Sequence, residues 1–339
     1  MLSHILSRHP DVLSLSEFMT TVTRFRSVFD ANDDFWTARI DGKEWWRKLS
    51  EPDLILDAMI NAGIRNTEAI YPYGTGRFNP VSGVPGICDY VLPLLDDDPD
   101  ALFDKLAAEV PGWPERSAAE HCRALFTMLS GVTGRRIVVE RSGGSLLLVP
   151  ILRQQFPEAR FVLLHRDGAD CALSMSRHSG MRLTALQIMA ALSAPGLPEG
   201  ASPEELVAAA PREFDGLLVP PFDGPRFASF PIPLKMFGGM WSHMTTAGVT
   251  ALQSLPADQW TSLTYEDLVR SPRPLLTALA AFVGATAPPQ WLDWASGFVD
   301  PGRTAGAAAT LGPDELEALQ SSCEPGSQAL ATVTSRLLA

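Results

Sequence analysis

The sequence has little of several features that define common protein classes. Its 339 residues carry 27 Lys and Arg against 39 Asp and Glu, a formal net charge of −12, which argues against general binding to nucleic acids or anionic membranes. No apolar run reaches the ~18 residues that a membrane span needs. The first residues lack the basic region, apolar stretch and small-residue cleavage site of a secretion signal. We therefore expect a cytoplasmic protein.

Cysteine is also scarce. The four cysteines are scattered and form no Cys-x-x-Cys pair, so we interpret them as free, mostly buried thiols in a reducing compartment. No spacing of His, Cys, Asp or Glu suggests a metal site, and no metal cofactor is expected. The pattern Gly-x-x-x-x-Gly-Lys-Ser/Thr is absent as well, which argues against a P-loop kinase.

One stretch predicts a strand, a charged turn and a helix. The apolar run 161–164 has no polar alternation, which is typical of a strand buried on both faces of a parallel sheet. Arg166 follows it, and Asp167 stands where a helix N-cap would, with Asp170 three residues later. Ligands of open α/β sheets bind at the carboxyl ends of strands, beside helix N-termini. Arg166 stands at such an end, and Ser174 lies two turns into the following helix.

The segment Arg166-Asp-Gly-Ala-Asp-Cys-Ala-Leu-Ser174 resembles the 3′-phosphate-binding segment of the bacterial-type sulfotransferases that use 3′-phosphoadenosine 5′-phosphosulfate (PAPS). In that family an Arg at a strand end and a Ser eight residues later hold the 3′-phosphate. The resemblance implies this role for Arg166 and Ser174. The alternative is an ordinary Arg-Asp turn before a helix whose Ser fills space.

Two further segments occur in the order that the family shows. Tyr265-Glu-Asp-Leu268, followed by Phe282-Val-Gly284, is similar to a strand-to-helix junction whose Tyr lies near the adenine. Pro301-Gly-Arg-Thr304 is similar to a loop that closes over the 3′-phosphate, which makes Arg303 a candidate. The alternative for the first segment is a plain junction with acidic residues in the first helical turn.

Glu17 and Arg141 are the candidate catalytic residues. In several branches of the family a Glu near the position of Glu17 is the proposed base for the acceptor hydroxyl; the alternative is that Ser16 caps a helix and Glu17 complements its dipole. The turn 140–145 partly resembles a family turn that ends in His, although this chain has Ser145 there. The resemblance implies that Arg141 faces the sulfuryl oxygens; the alternative is a solvent-facing Arg.

The resemblance implies an α/β fold, a P-loop NTPase-like three-layer α/β/α domain with a short parallel sheet and many helices. Residues 1–10 are similar to the stretch that follows the family's phosphosulfate-binding loop, and we expect the first strand and that loop to be missing. We expect one domain over 1–339, with the Pro-rich segment 195–233 as an acceptor-side lid.

The function implied is transfer of a sulfuryl group from PAPS to a hydroxyl, or less often an amine, of a small-molecule or lipid-like acceptor. Apolar residues in 195–233 favour an apolar acceptor, and the sequence leaves a homodimer open. The alternative is a catalytically inactive sulfotransferase-like binding or scaffold protein that has lost its phosphosulfate loop.

Overall fold

The computed structural model describes residues 1–23, 34–194, 196–198, 200–300, 302 and 306–333. It is a mixed α/β structure that is mostly helical and has short strands. The strands of the described residues are β1 (Val12–Ser16), β2 (Arg39–Ile40), β3 (Arg116–Ser117), β4 (Ile137–Arg141), β5 (Phe161–His165) and β6 (Trp260–Thr264).

The helices surround these strands. Up to β5 they are α1 (Leu2–Ser7), α2 (Phe18–Thr23), α3 (Gly42–Ser50), α4 (Leu54–Asn61), α5 (Gly86–Tyr90), α6 (Pro99–Glu109), α7 (Ala118–Thr133) and α8 (Ser145–Gln155). After β5 they are α9 (Gly168–Met175), α10 (Ser179–Leu192), α11 (Pro203–Ala209), α12 (Gly224–Ser229), α13 (Leu234–Gln253), α14 (Tyr265–Arg270), α15 (Pro272–Val283), α16 (Pro289–Phe298) and α17 (Pro313–Ala331).

The parallel strands form two separate pairs. β1 pairs with β4 and β5 pairs with β6, each over five residues and each parallel. Among the strands that the structure describes, no ladder joins one pair to the other, while β2 and β3 form a two-residue antiparallel ladder. Parallel pairing was predicted, but it occurs as two pairs rather than as one sheet.

The two pairs are not equally buried. Most of β1 and β6 is buried, whereas β4 and β5 are partly exposed along their length. Leu164 in β5 keeps 37% of its surface exposed, so the prediction of a strand buried on both faces is wrong at this residue. The reason is that Leu163 packs with Val149 and Val249, whereas Leu164, on the opposite face of the strand, lies in none of the hydrophobic clusters of the described residues.

The helices that follow β4 and β5, α8 and α9, both contact one helix, α13. Leu146, at the start of α8, lies against Gly248, and Gly168, at the start of α9, lies against the ring of Trp241. Seven residues of α-helix separate Trp241 from Gly248, a rise of about 10 Å.

The Pro-rich segment 195–233 has more regular structure than its composition predicts. It contains α11, α12 and a 3₁₀ turn at Arg212–Phe214. Its apolar side chains, including Phe214 and Phe227, pack in one cluster with Leu186 of α10 and Met59 of α4. The four cysteines are free thiols, and three of them are buried, as predicted.

Candidate functional site

Four of the residues singled out in the sequence lie at the carboxyl ends of the parallel strands. Glu17 directly follows β1, Arg141 ends β4, Arg166 follows β5 and Tyr265 follows β6. The structure groups them into two contacts, Glu17 with Arg141 and Arg166 with Tyr265. This is the edge at which open α/β sheets bind ligands.

Glu17 is held against Arg141 by its main chain and its side chain. Its N–H donates to the Arg141 carbonyl at 2.8 Å, and Arg141 Nη1 donates to Glu17 Oε1 at 2.7 Å. Glu17 has φ +52°, the left-handed region that a non-glycine residue adopts at a cost of about 1–2 kcal/mol. Its side chain is 5% exposed, whereas that of Arg141 is 48% exposed, so the pair presents a guanidinium to solvent.

The Glu17 carboxylate is surrounded by donors of the protein itself. Besides Arg141, the Gly143 N–H donates to both carboxylate oxygens at 3.1 and 3.2 Å, and Thr20 Oγ1 donates to Oε2 at 2.7 Å. Burial raises the pKa of Glu17, and the nearby charge of Glu68 raises it further. Glu17 therefore anchors Arg141 and is largely closed to solvent.

A second carboxylate, Glu140, lies beside this pair. It accepts hydrogen bonds from the Met19 N–H at 3.1 Å, from the Ser142 hydroxyl, and from Ser145 Oγ at 3.2 Å. Burial raises its pKa to about 7, and the charge of Glu17 adds to that rise. Ser142 is thus engaged by Glu140 and buried, so it is not presented to solvent as a donor.

The structure adds two residues that the sequence did not point to, Glu68 and His178. Glu68 Oε2 lies 3.2 Å from His178 Nε2, and their side chains are 33% and 26% exposed. The Met181 N–H donates to His178 Nδ1 at 3.3 Å, which caps α10. Glu68 follows no strand and fits no motif, so only the fold could reveal this pair.

The ionisable side chains of these two pairs, Glu17 with Arg141 and Glu68 with His178, influence one another's pKa values. Burial would raise the pKa of Glu68, but the hydrogen bond from His178, and then the charge of Arg141, lower it below its ordinary value. The hydrogen bond to Glu68 raises the pKa of His178. At neutral pH, Glu68 is therefore ionised.

Arg166 lies over Tyr265, with its guanidinium carbon 4.9 Å from the ring centroid. Its Nη2 donates to Asp170 Oδ2 at 3.2 Å. Its Nε is buried and has no hydrogen-bond acceptor among the described residues, since the nearest carboxylate oxygen, of Glu266, is 4.0 Å away. A buried donor without an acceptor is costly and rare in proteins.

Arg166 lines a cavity of about 580 Å³ whose walls also include Trp241, Leu316 and three carboxylates. Each carboxylate accepts a hydrogen bond from a backbone N–H: Asp167 from Asp170, Glu266 from Asp167, and Asp170 from Gly306 and Ala308. Burial would raise the pKa of Asp170, but these backbone hydrogen bonds and Arg166 lower it. All three wall carboxylates therefore already have hydrogen-bond donors within the protein.

The other two binding candidates have different outcomes. Ser174 is on α9 but is exposed, and it does not line this cavity. Arg303 lies outside the described residues. Gly306, three residues later in the sequence, donates its N–H to Asp170 at 2.6 Å and thus lies beside the carboxylate that contacts Arg166.

The described residues contain no group of three or more His, Cys, Asp or Glu side chains that could hold a metal ion. Within the same residues, every helix is too short or too polar to cross a membrane.

No family model matches this chain, and no curated protein matches it. Among solved structures, the chain is similar to the sulfotransferase domain from the curacin biosynthetic pathway. The two share 13% sequence identity at a TM-score of 0.46, over 95% of this chain and 92% of that chain.

Proposed function

We propose that this protein is a sulfotransferase that moves a sulfuryl group from PAPS to an acceptor hydroxyl or amine. In this proposal the cavity beside Arg166 takes the adenosine and its 3′-phosphate, and Arg141 faces the sulfuryl oxygens. PAPS, the acceptor and their positions all belong to the proposal.

The observation that carries the proposal is the position of Arg166 and the contacts of its guanidinium group. It lines the cavity at a strand end, rests on an aromatic ring and keeps a quarter of its side chain exposed. An anionic oxygen in the cavity would accept hydrogen bonds from this exposed part, and guanidinium groups bind phosphates with good geometry. The neighbouring carboxylates already accept backbone hydrogen bonds, which reduces their repulsion of an anion.

Arg141 supports the second half of the proposal. It ends the strand whose following helix contacts α13, as the helix that follows Arg166 also does, and half of its side chain is exposed. Two cations at the ends of two parallel strands suit a ligand with two separated anionic groups. Sulfuryl transfer, like phosphoryl transfer, depends mainly on positioning and on stabilising charge at the peripheral oxygens.

The test combines binding with turnover. We expect adenosine 3′,5′-bisphosphate to bind in calorimetry, and Arg166→Ala to weaken binding by at least tenfold. The matched control is Arg160→Ala, since Arg160 is exposed and precedes the other end of the same strand. Equal binding by wild type and Arg166→Ala overturns the assignment of the cavity.

Turnover separates the enzyme from its alternative. The protein is incubated with ³⁵S-labelled PAPS and a panel of hydroxyl and amine acceptors. Label in an acceptor supports the enzyme. Nucleotide binding without transfer to any acceptor supports the inactive binding protein.

A further inference from the structure

We infer that Glu68, and not Glu17, takes the proton from the acceptor, and that His178 positions it. This inference rests on the proposed function, because it assigns roles within sulfuryl transfer. It concerns two residues that lie outside every motif discussed above.

Glu17 is a poor candidate for the base because its oxygens are already used. A carboxylate has about four acceptor positions, and Arg141, Thr20 and the Gly143 N–H make four contacts with Glu17. With 5% of its side chain exposed, Glu17 leaves little room for an acceptor hydroxyl at hydrogen-bonding distance. Its geometry suits a positioning residue for Arg141.

Glu68 has the access that Glu17 lacks. One third of its side chain is exposed, and Oε2 makes its contact with His178. Among the described residues, none makes a hydrogen bond or ion pair with Oε1, so a hydroxyl can approach it. A base must be unprotonated, and although burial would raise the pKa of Glu68, the hydrogen bond from His178 and the charge of Arg141 lower it and keep Glu68 ionised.

The hydrogen bonds of His178 fix the orientation of the pair. The Met181 N–H donates to Nδ1, which requires Nδ1 to be unprotonated, so the ring proton lies on Nε2 and faces Glu68 Oε2. The charged and titratable groups that act on Glu68 are His178, Arg141 and the Met1 amino group, and Glu68 in turn acts on Glu17 and Tyr90. Of these, His178 has the largest favourable effect.

The acceptor oxygen forms a bond to sulfur, and the bond between sulfur and the 5′-phosphate oxygen breaks. The acceptor proton moves to Glu68 Oε1, and adenosine 3′,5′-bisphosphate leaves with the bonding electron pair. Arg141 stays beside the sulfuryl oxygens throughout.

The decisive experiment measures turnover with PAPS for four variants. Glu68→Gln should lower kcat by roughly 10²- to 10⁴-fold and leave the KM for PAPS within about twofold. In Glu68→Ala, added formate should restore part of the activity because it replaces the missing carboxylate. Glu17→Gln should instead raise the KM for PAPS through loss of the Arg141 anchor. Glu115→Gln, which alters an exposed ion-paired glutamate, is the control that keeps wild-type turnover.

The pH profile tests the positioning role of His178. Replacing the imidazole in His178→Gln raises the pKa of Glu68, so the acid limb of the kcat/KM profile should move to higher pH. Glu17→Gln should leave that limb at the wild-type pH. Full turnover by Glu68→Gln, or an acid limb lost in Glu17→Gln alone, overturns this inference and leaves the proposed function standing. Absence of turnover by the wild type with every acceptor overturns both.

Discussion

The carboxylate of Glu17 and the guanidinium of Arg141 meet at 2.7 Å, although 124 residues separate them in the chain. The contact follows from strand register, because Ser16 at the end of β1 lies opposite Arg141 at the end of β4. The left-handed backbone of Glu17 turns the chain so that its N–H also meets the Arg141 carbonyl. Backbone strain of this kind concentrates at functional sites.

Removing the guanidinium should destabilise the protein. In Arg141→Met the buried Glu17 carboxylate loses its charged partner, and we expect the free energy of unfolding to fall by about 1–3 kcal/mol. Urea denaturation at pH 7 measures this. Arg136→Met is the control, because Arg136 is 82% exposed and lies 3.5 Å from Asp11, so its loss should change stability by less than about 1 kcal/mol. Equal losses in both variants would contradict a special role for the buried pair.

Gly168, at the start of α9, should not tolerate a side chain. A Cβ added at Gly168 would lie 2.6 Å from Trp241 Cζ3 and 3.1 Å from Cys323 Cβ, so Gly168→Ala must push α9 away from α13. We expect a loss of about 1–3 kcal/mol in the free energy of unfolding, together with weaker nucleotide binding, since Arg166 lies two residues earlier.

Gly239 offers the matched control for that change. It lies in α13 as Trp241 does, and a Cβ added there meets nothing within 4 Å. Gly239→Ala should therefore stabilise the protein by about 0.5–1 kcal/mol, since alanine is the better helix former. A Gly168→Ala variant as stable as Gly239→Ala would show that the contact with Trp241 is loose.

Much of the local structure could be predicted from the sequence. The apolar run before Arg166 forms β5, Asp167 caps α9 through a hydrogen bond from the Asp170 N–H, and the helix after β6 begins at Tyr265. These features depend on neighbouring residues, so spacing and composition reveal them.

Long-range features could not be predicted in this way. The saturation of Glu17, the burial of Glu140 and the pairing of Glu68 with His178 depend on segments that are distant in the chain. The position of Ser174 is a similar case, because its spacing from Arg166 places it on α9 but does not determine whether it reaches the cavity.

That position leads to a prediction about Ser174. Because it is exposed and does not line the cavity, Ser174→Ala should change the affinity for adenosine 3′,5′-bisphosphate by less than about twofold, well under the 1.4 kcal/mol that a tenfold change requires. The same calorimetric titration that tests Arg166→Ala measures it. A tenfold loss would show that Ser174 contacts the nucleotide, as the family resemblance implies.

The free energy of unfolding should fall as the pH rises from about 4.5 to 7, because the buried side chain of Glu140 must ionise. Its ordinary pKa is 4.5 and its folded pKa is about 7. Between these values the folded state binds more protons than the unfolded state, so raising the pH favours unfolding. This shift in the pKa of Glu140 corresponds to at most roughly 3 kcal/mol in the free energy of unfolding.

The variant Glu140→Gln isolates this contribution. Asp57, whose pKa burial raises to about 6, acts in the same direction, so the wild-type profile alone does not identify the group. Urea denaturation between pH 4.5 and 8 should give a flatter dependence of stability on pH for Glu140→Gln than for the wild type. Glu115→Gln, at an exposed glutamate, should keep the wild-type slope. If Glu140→Gln keeps it too, Glu140 is already ionised across this range, and the hydrogen bonds from Ser142, Ser145 and the Met19 N–H offset the effect of burial.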